Sequence, residues 1–431
     1  MVKVITYGTY DLLHYGHTRL LERAKALGDY LVVGVTADDF DKTRGKINVQ
    51  QTLEERIAAV RATGLADEII VEQYEGQKID DIRRLDIDIF AIGSDWEGYF
   101  DYLNEYCNVH YLPRTEGVSS SQIRSETNAL RLGLVGYSPF VNKFFDESKF
   151  VNAVDVVGVC TPEDGDLESL SDKVDVFTRD FDELLTAVDA IYIHSHPKDH
   201  YKQCKKALEA GKHVLCESPT GMTKEECQNL IKYAKDSGLV FMEAIRTAYI
   251  TAYLRMLLLI KSSKIGKVIS VDATCTSLTS TKSVGNNPRW SSLEAWGPTA
   301  LLPVFQILGT DYSSKDIFVK NTEDGYNEFT KINFTYPEAT ATIKVGTGVK
   351  SESDLIISGT KGYIYVPAPW WKTDYFEIRY ENPANNKRYF YQVDGEGIRY
   401  ELVALADAVR GGCEDYYISR NVSEEIASIM N

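Results

Sequence analysis

His14-Tyr15-Gly16-His17 sets two imidazoles three residues apart, with a glycine between them, shortly after an apolar N-terminal strand. At the mouth of a helix, where free backbone N–H groups already favour anions, such a pair suits gripping a nucleoside triphosphate. It also suits neutralising the charge that develops when the α-phosphorus is attacked. Far downstream, Arg114-Thr115-Glu116-Gly117-Val118-Ser119-Ser120-Ser121 offers an arginine and a run of hydroxyls for the same phosphates. The turn Gly8-Thr9-Tyr10-Asp11 lies between the first strand and the histidines. Open α/β sheets place ligands at that carboxyl end. One histidine alone is more often a cap or a core residue. Two at this spacing and place point to nucleotidyl transfer.

The elements that must position these groups follow from the apolar pattern. Val2 to Tyr7, Leu31 to Thr36, Glu68 to Val71, Ile87 to Ile92 and Val109 to Leu112 read as strands. Thr18 to Leu27, Leu53 to Arg61, Ile79 to Leu85 and Ser121 to Leu132 read as helices. Short links between alternating strands and helices predict a parallel α/β unit. A second alternation starts near Leu132, with strands at Leu132 to Gly136, Val154 to Cys160, Ala190 to His194, Val214 to Glu217 and Val240 to Glu243. Helical patterns at Lys202 to Ala210 and Lys224 to Ser237 lie among them. After Arg246 a helix-like stretch, Leu254 to Ser262, precedes alternating runs at Lys331 to Val345 and Asp354 to Val366, which predict an antiparallel sheet. The expected fold class is therefore α/β: a Rossmann-like nucleotidyltransferase domain (1–129), a second Rossmann-like domain (130–246), and an α+β domain with a mostly antiparallel sheet (247–431).

A chain of 431 residues exceeds one ordinary core, in keeping with several domains. A net charge of −16 argues against nucleic acid as a partner and requires local positive charge wherever phosphate is handled. The longest apolar stretch, around Met256 to Ile260, is too short to span a bilayer, so no membrane insertion is expected. Charge and turn residues follow Ile5 almost at once, so no secretory leader is expected. Seven scattered cysteines without a Cys-x-x-Cys suit reduced thiols in the cytoplasm.

The stretch from Ile5 to His17 resembles the glycerol-3-phosphate cytidylyltransferases of teichoic-acid synthesis. So do Gly28-Asp29-Tyr30-Leu31-Val32-Val33, Asp95-Trp96-Glu97-Gly98 and Tyr111-Leu112-Pro113-Arg114-Thr115-Glu116-Gly117. The resemblance implies that His14, His17 and Arg114 carry catalysis, and that His14 and His17 bind the CTP phosphates and stabilise the transition state. It places Thr9 and Tyr10 in the nucleotide pocket, with Arg114, Thr115, Ser119 and Ser120 on the triphosphate. The loop Lys42-Thr43-Arg44-Gly45-Lys46 looks like the family's lysine loop, with Arg44 at the acceptor phosphate and Lys46 at CTP. Lys78 resembles a second acceptor contact, and Asp95 and Trp96 fall where the family closes its site. The implied partners are CTP and a polyol phosphate, and the implied cofactor is Mg2+ with CTP. One departure stands out: Gly64 occupies a position where relatives commonly have arginine, and Arg61 is the candidate substitute.

Pro197-Lys198-Asp199-His200 and the run Ala207 to Glu217 resemble the glucose-fructose oxidoreductase and inositol dehydrogenase family. Lys264-Ile265-Gly266-Lys267-Val268 and Ser358-Gly359-Thr360-Lys361-Gly362 fit the same resemblance, which covers residues 130 to 431. It implies a fold that binds NAD(P) in relatives and often associates through its sheet, hence a homo-oligomer. Three departures oppose a working NAD(P) site. The glycine turn reads Gly136-Tyr137-Ser138-Pro139-Phe140-Val141, with only its first glycine kept. The family's Glu-Lys-Pro is Glu217-Ser218-Pro219, and the region from Gly297 to Ile307 lacks the family's aspartate and histidine, with Phe305 at a glycine position. The rear half thus reads as an inactive oxidoreductase relative. The alternative is a bifunctional chain, in which the rear half reduces a keto- or aldo-phosphate that the front half activates. His194, His196 and His200 lack a cysteine or carboxylate spaced to complete a zinc site, so no metal is assigned to them. Trp370-Trp371 reads as core or interface.

Overall fold

The computed structural model describes residues 1–13, 15–37, 49, 51–73, 76–113, 129–151, 153–161, 167–278, 290–391, 393–411 and 417–430. His14, Arg44, Lys46, Arg114, Thr115, Ser119 and Ser120, and the helix expected from Ser121, lie outside the described residues, as does the Asp95 side chain. The chain divides into two compact units, Met1–Asn128 and Ala129–Asn431.

The front unit is built on β1 (Lys3–Gly8), β2 (Tyr30–Thr36), β3 (Glu68–Glu72), β4 (Ile89–Gly93) and β5 (Asn108–Leu112). All pair in parallel, in the order β3-β2-β1-β4-β5. The order reverses between β1 and β4, and a crevice opens at the carboxyl ends of strands around such a reversal. Helices α1 (Tyr15–Lys25), α2 (Leu53–Ala62) and α3 (Gln77–Leu85) link the strands. α1 and α2 bury Leu21, Ala24 and Val60 against Val4, Leu31, Val33 and Val35, while Ile82 of α3 packs with Ile5, Val32 and Phe90. α2 begins sharply because Thr52 and Glu55 form a reciprocal capping box.

The rear unit opens with a six-stranded parallel sheet: β6 (Leu130–Gly136), β7 (Val154–Cys160), β8 (Val176–Thr178), β9 (Ala190–His194), β10 (His213–Glu217) and β11 (Phe241–Ala244). The order β11-β10-β9-β6-β7-β8 reverses between β9 and β6. α4 (Pro139–Ser148), α5 (Phe181–Ala187), α6 (Pro197–Glu209) and α7 (Lys224–Asp236) accompany it. The expectation that helix runs to Leu132 is corrected here. Leu130 already pairs with Val154 in the parallel ladder, which commits these residues to strand.

α8 (Thr251–Lys261) leads into a mixed eight-stranded sheet. Its strands are β12 (Val268–Ser277), β13 (Ser314–Asn321), β14 (Asn327–Thr335), β15 (Thr340–Thr347), β16 (Leu355–Gly359), β17 (Tyr363–Val366), β18 (Tyr375–Arg379) and β19 (Lys387–Phe390), in the order β13-β14-β15-β12-β16-β17-β18-β19. Among the described residues of this sheet only β12 and β15 pair in parallel. Each long alternating run is really two strands, split at the turn closed by the Tyr336 N–H on Ala339 and at the turn closed by the Gly359 N–H on Gly362. α9 (Ser292–Leu308) covers one face and keeps Pro298 and Pro303 inside a continuous helix, buried among Leu301, Leu302 and Val304. The chain closes with α10 (Ile398–Gly411) and α11 (Arg420–Ile429). Among the described residues no helix is long and apolar enough to cross a membrane.

Candidate active site

The segment leaving β1 is held in a conformation that side chains rarely adopt. Tyr10 and Leu12 both take positive φ, 54° and 46°. Two such residues within one turn cost free energy, and persist only where surrounding contacts enforce them. Those contacts come from the start of α2. Arg56, fully buried, donates from Nη1 to the carbonyls of Thr9 at 2.6 Å and Thr36 at 2.9 Å, and from Nε to Gln51 at 3.2 Å. The Gln51 N–H donates to Asp11 Oδ1 at 3.0 Å, and Gln51 Oε1 accepts the Leu12 N–H at 2.7 Å. One guanidinium and one amide thus tie the ends of β1 and β2 to a single helix start. Sequence patterning gave no sign of this role for Arg56, because an arginine in a charged helix reads as solvated.

Tyr10 was expected in the nucleotide pocket. Its side chain instead lies in the core, 1 % exposed, packed with Leu21, Leu31 and Val33. Burial raises the phenol above its ordinary value, and the hydroxyl approaches Thr6. Neither of those oxygens makes a well-formed hydrogen bond among the described residues. The ring edge meets His17 at 5.6 Å between centroids, with 66° between planes. Tyr10 therefore contacts His17 from the core side. His17 sits half-buried in the first turn of α1, a turn without acidic side chains, so the positive end of the helix faces the crevice uncancelled by its own residues.

Lys78 lies in the first turn of α3, buried, in an ion pair with Glu72. Its ammonium also stands 4.6 Å from the centre of the Tyr7 ring and 5.6 Å from that of Phe100. Glu72 accepts a second hydrogen bond from the Thr36 hydroxyl at 3.1 Å. An acceptor phosphate would have to compete with Glu72 for this lysine. Tyr7 donates to Asp81 at 3.0 Å, and burial raises its phenol further. Trp96 ends the short helical turn Ser94–Trp96 after β4, exposed, with its ring 5.4 Å from Tyr99 and 5.8 Å from Phe100. Thr9, His17 and Trp96 thus come from segments that leave β1 and β4 on the carboxyl side of the reversal. Gly64 adopts φ +67° just past α2, a conformation in which any Cβ is strained, and Arg61 is exposed in the last turn of that helix.

In the rear unit, side chains that follow β6 and β9 contact one another near the corresponding strand reversal. The Ser138 hydroxyl caps α4 by accepting the Phe140 N–H at 3.1 Å, and lies 3.1 Å from His194 Nε2. A Cβ on Gly136 would meet the His194 carbonyl at 2.7 Å and Val141 at 2.9 Å, so close packing already demands this glycine. Trp290 sets its ring 5.6 Å from His194, 6.3 Å from His196 and 6.1 Å from His200. Two of these histidines are engaged by backbone. His196 Nδ1 accepts the Lys198 N–H, and the His200 nitrogens lie against the carbonyls of Pro219 and Ser195 at 2.7 and 3.0 Å. Burial, then His200 and Arg246, pushes His194 down to about 3. Below them is a carboxyl group cluster that sequence patterning missed. Tyr192 donates to Glu217 at 2.5 Å, Ser218 donates to Glu243, and Glu401 is fully buried. Burial raises all three carboxyls, Glu401 well above the usual range.

A cytidylyltransferase-like family model matches residues 5–126, and an oxidoreductase-family model with an NAD-binding Rossmann fold matches residues 130–245. The front unit is a nucleotidyltransferase, and the rear half contains a domain of the second type. A glycerol-3-phosphate cytidylyltransferase of Bacillus spizizenii is 52% identical over 130 residues, covering 30% of this chain and 100% of the relative. That of Staphylococcus aureus is 47% identical over 126 residues, covering 29% of this chain and 95% of the relative. The chain belongs to the glycerol-3-phosphate cytidylyltransferase family. The rear unit shares its fold with KijD10, a 3-ketoreductase from Actinomadura kijaniata, at TM-score 0.61 and 17% identity, covering 70% of this chain and 96% of that one.

Proposed function

We propose that the front unit transfers CMP from CTP to a polyol phosphate, with glycerol phosphate the best candidate, giving CDP-glycerol and pyrophosphate. An oxygen of the acceptor phosphate forms a new bond to the α-phosphorus as the bond to the β-phosphate oxygen breaks and pyrophosphate departs. The acceptor is already ionised, so no strong base is required; positioning and charge neutralisation suffice. His17, with His14, donates to the phosphates. Arg114, Thr115, Ser119, Ser120 and Lys46 hold the triphosphate, and Arg44, Lys78, Asp95 and Trp96 serve the acceptor side. Thr9 contributes to the nucleotide pocket. By the resemblance, Mg2+ would be held with the CTP phosphates. The reading rests chiefly on the strained turn Thr9–Leu12, locked by Arg56 and Gln51, which leads into α1 and His17. His17→Ala should nearly abolish pyrophosphate release from CTP and glycerol 3-phosphate; normal turnover by that variant would remove the assignment. A panel of polyol phosphates fixes the acceptor.

We infer that the rear unit, divided into domains at 246/247, does not transfer hydride. Ser138 occupies the helix N–H that a pyrophosphate would need, and Trp290 packs against the crevice histidines. Titration with NADH or NADPH should leave cofactor fluorescence unchanged at about millimolar concentration, since that ligand strength is the weak limit of useful binding. Saturable quenching would instead support the bifunctional reading. The rear unit then serves assembly of a homo-oligomer. A cytoplasmic enzyme supplying CDP-polyol to teichoic-acid or capsule-type glycopolymers fits both halves.

A further inference from the structure

The six-stranded sheet ends on β11, and this edge strand lends Phe241 and Glu243 to a cavity of about 200 Å3. β10 and β9 stand between that strand and β6, so the cavity is separate from the strand reversal where a dinucleotide would lie. α7 and α11 form its other walls. Burial distinguishes a floor from a rim. Glu243 is buried, whereas Arg420 is half-buried and Lys235 is exposed. An apolar cavity of about 150 Å3 takes a benzene ring. This one has room for a skeleton of that size and its substituents.

The floor carries an unfinished polar group. Glu243 is 4 % exposed, its Oε1 accepts the Ser218 hydroxyl, and its Oε2 has no hydrogen-bond partner among the described residues. Ser423, also on the wall, approaches the same carboxyl, and burial raises that carboxyl above its ordinary value. A buried oxygen left unpaired is costly, and a ligand atom that completes it recovers the loss. Protonated, the group donates from Oε2; ionised, it accepts there. A hydroxyl answers both states. The rim asks for the opposite charge. Lys235 and Arg420 are its cations, and Glu243 is the one acid among the described lining residues. His213 adds no charge, because its Nδ1 accepts the Val240 N–H at 2.9 Å and burial lowers its pKa. The rim therefore favours an anion. Between rim and floor, Ile231, Leu239 and Phe241 offer an apolar surface to a carbon skeleton.

We propose that this cavity binds a small hydroxylated organic anion, with its acidic group at Lys235 and Arg420, its hydroxyl on Glu243 and its skeleton against Phe241. The site is independent of the transferase and assembly readings. Calorimetric titration of the full chain tests it with three probes: para-hydroxybenzoate, omega-hydroxyhexanoate and para-hydroxyphenyl phosphate. At least one should saturate with a Kd below about 1 mM, and the tightest tells a carboxylate ligand from a phosphate ester. The same probe without its hydroxyl should bind roughly tenfold more weakly or worse, and Arg420→Met should weaken the intact probe by a similar factor. Bound probe should slow hydrogen exchange in peptides spanning residues 238–244 and 418–423. Glu243→Leu, if it folds, should bind the probe and its hydroxyl-free analogue equally; the wild-type comparison decides the matter if it does not. Four results overturn the proposal: no saturation by any of the three probes up to about 10 mM, equal wild-type affinity with and without the hydroxyl, affinity indifferent to Arg420→Met, or protection confined to other segments.

Discussion

Arg56→Lys isolates what holds the catalytic turn. The guanidinium serves three main-chain carbonyls, those of Gln51, Thr9 and Thr36, at 3.2, 2.6 and 2.9 Å. An ammonium keeps the charge but loses the planar fork, so it cannot reproduce all three contacts. A hydrogen bond from a charged donor contributes about 1.5–3 kcal/mol. Loss of the link to Thr9 frees a turn in which Tyr10 and Leu12 already sit at strained φ. If that loss falls on the transition state, kcat/KM drops by roughly 10- to 150-fold, since about 1.4 kcal/mol is a factor of ten. The assay is initial-rate pyrophosphate release over a range of CTP, alongside hydrogen exchange of the Leu12 amide, which in the wild type is bonded to Gln51. A variant within about threefold of wild-type kcat/KM, with the Leu12 amide equally protected, would refute the clamp.

Tyr10→Phe should be neutral or slightly stabilising, because it removes a buried hydroxyl that lacks a well-formed hydrogen bond. Tyr10→Ala should cost about 3–5 kcal/mol in denaturant melts of the front unit and lower activity, since it opens a cavity under His17; equal behaviour of the two variants would contradict that packing role. His194 is held neutral, its value lowered from 6.5 to about 3, so its contribution is complete above pH 6.5 and drains as pH falls toward 3. The raised carboxyls Glu217, Glu243 and Glu401 act in the opposite sense, gaining as pH falls toward their unfolded values. The measurement is therefore the melting-temperature gap between wild type and His194→Phe, which should narrow from about pH 7.5 to about pH 5. A gap constant over that interval would show that His194 does not titrate with unfolding.

The strands that begin each parallel sheet were legible because buried parallel strands are short apolar runs, and polarity along a chain is a local property. The histidine pair and the hydroxyl cluster stand out by residue type alone, and His14 and that cluster lie outside the described residues. β13 was not legible as a strand, nor α9 as a helix: Ser314–Asn321 mixes charge with apolar residues and buries neither face, while Pro298 and Pro303 predict a break. α9 remains continuous because the sheet and Met430, just after α11, pack around it.

What the sequence determined by itself was the class of chemistry and the alternation that builds two parallel sheets, because both are written in neighbouring residues. Tertiary structure alone decided which polar groups are used. Arg56 reaches Thr9 across 47 positions, Tyr10 turns inward rather than toward a ligand, and His196 and His200 are engaged by backbone. A side chain's role depends on the partners and burial it meets in space, and those are set by packing among residues far apart along the chain.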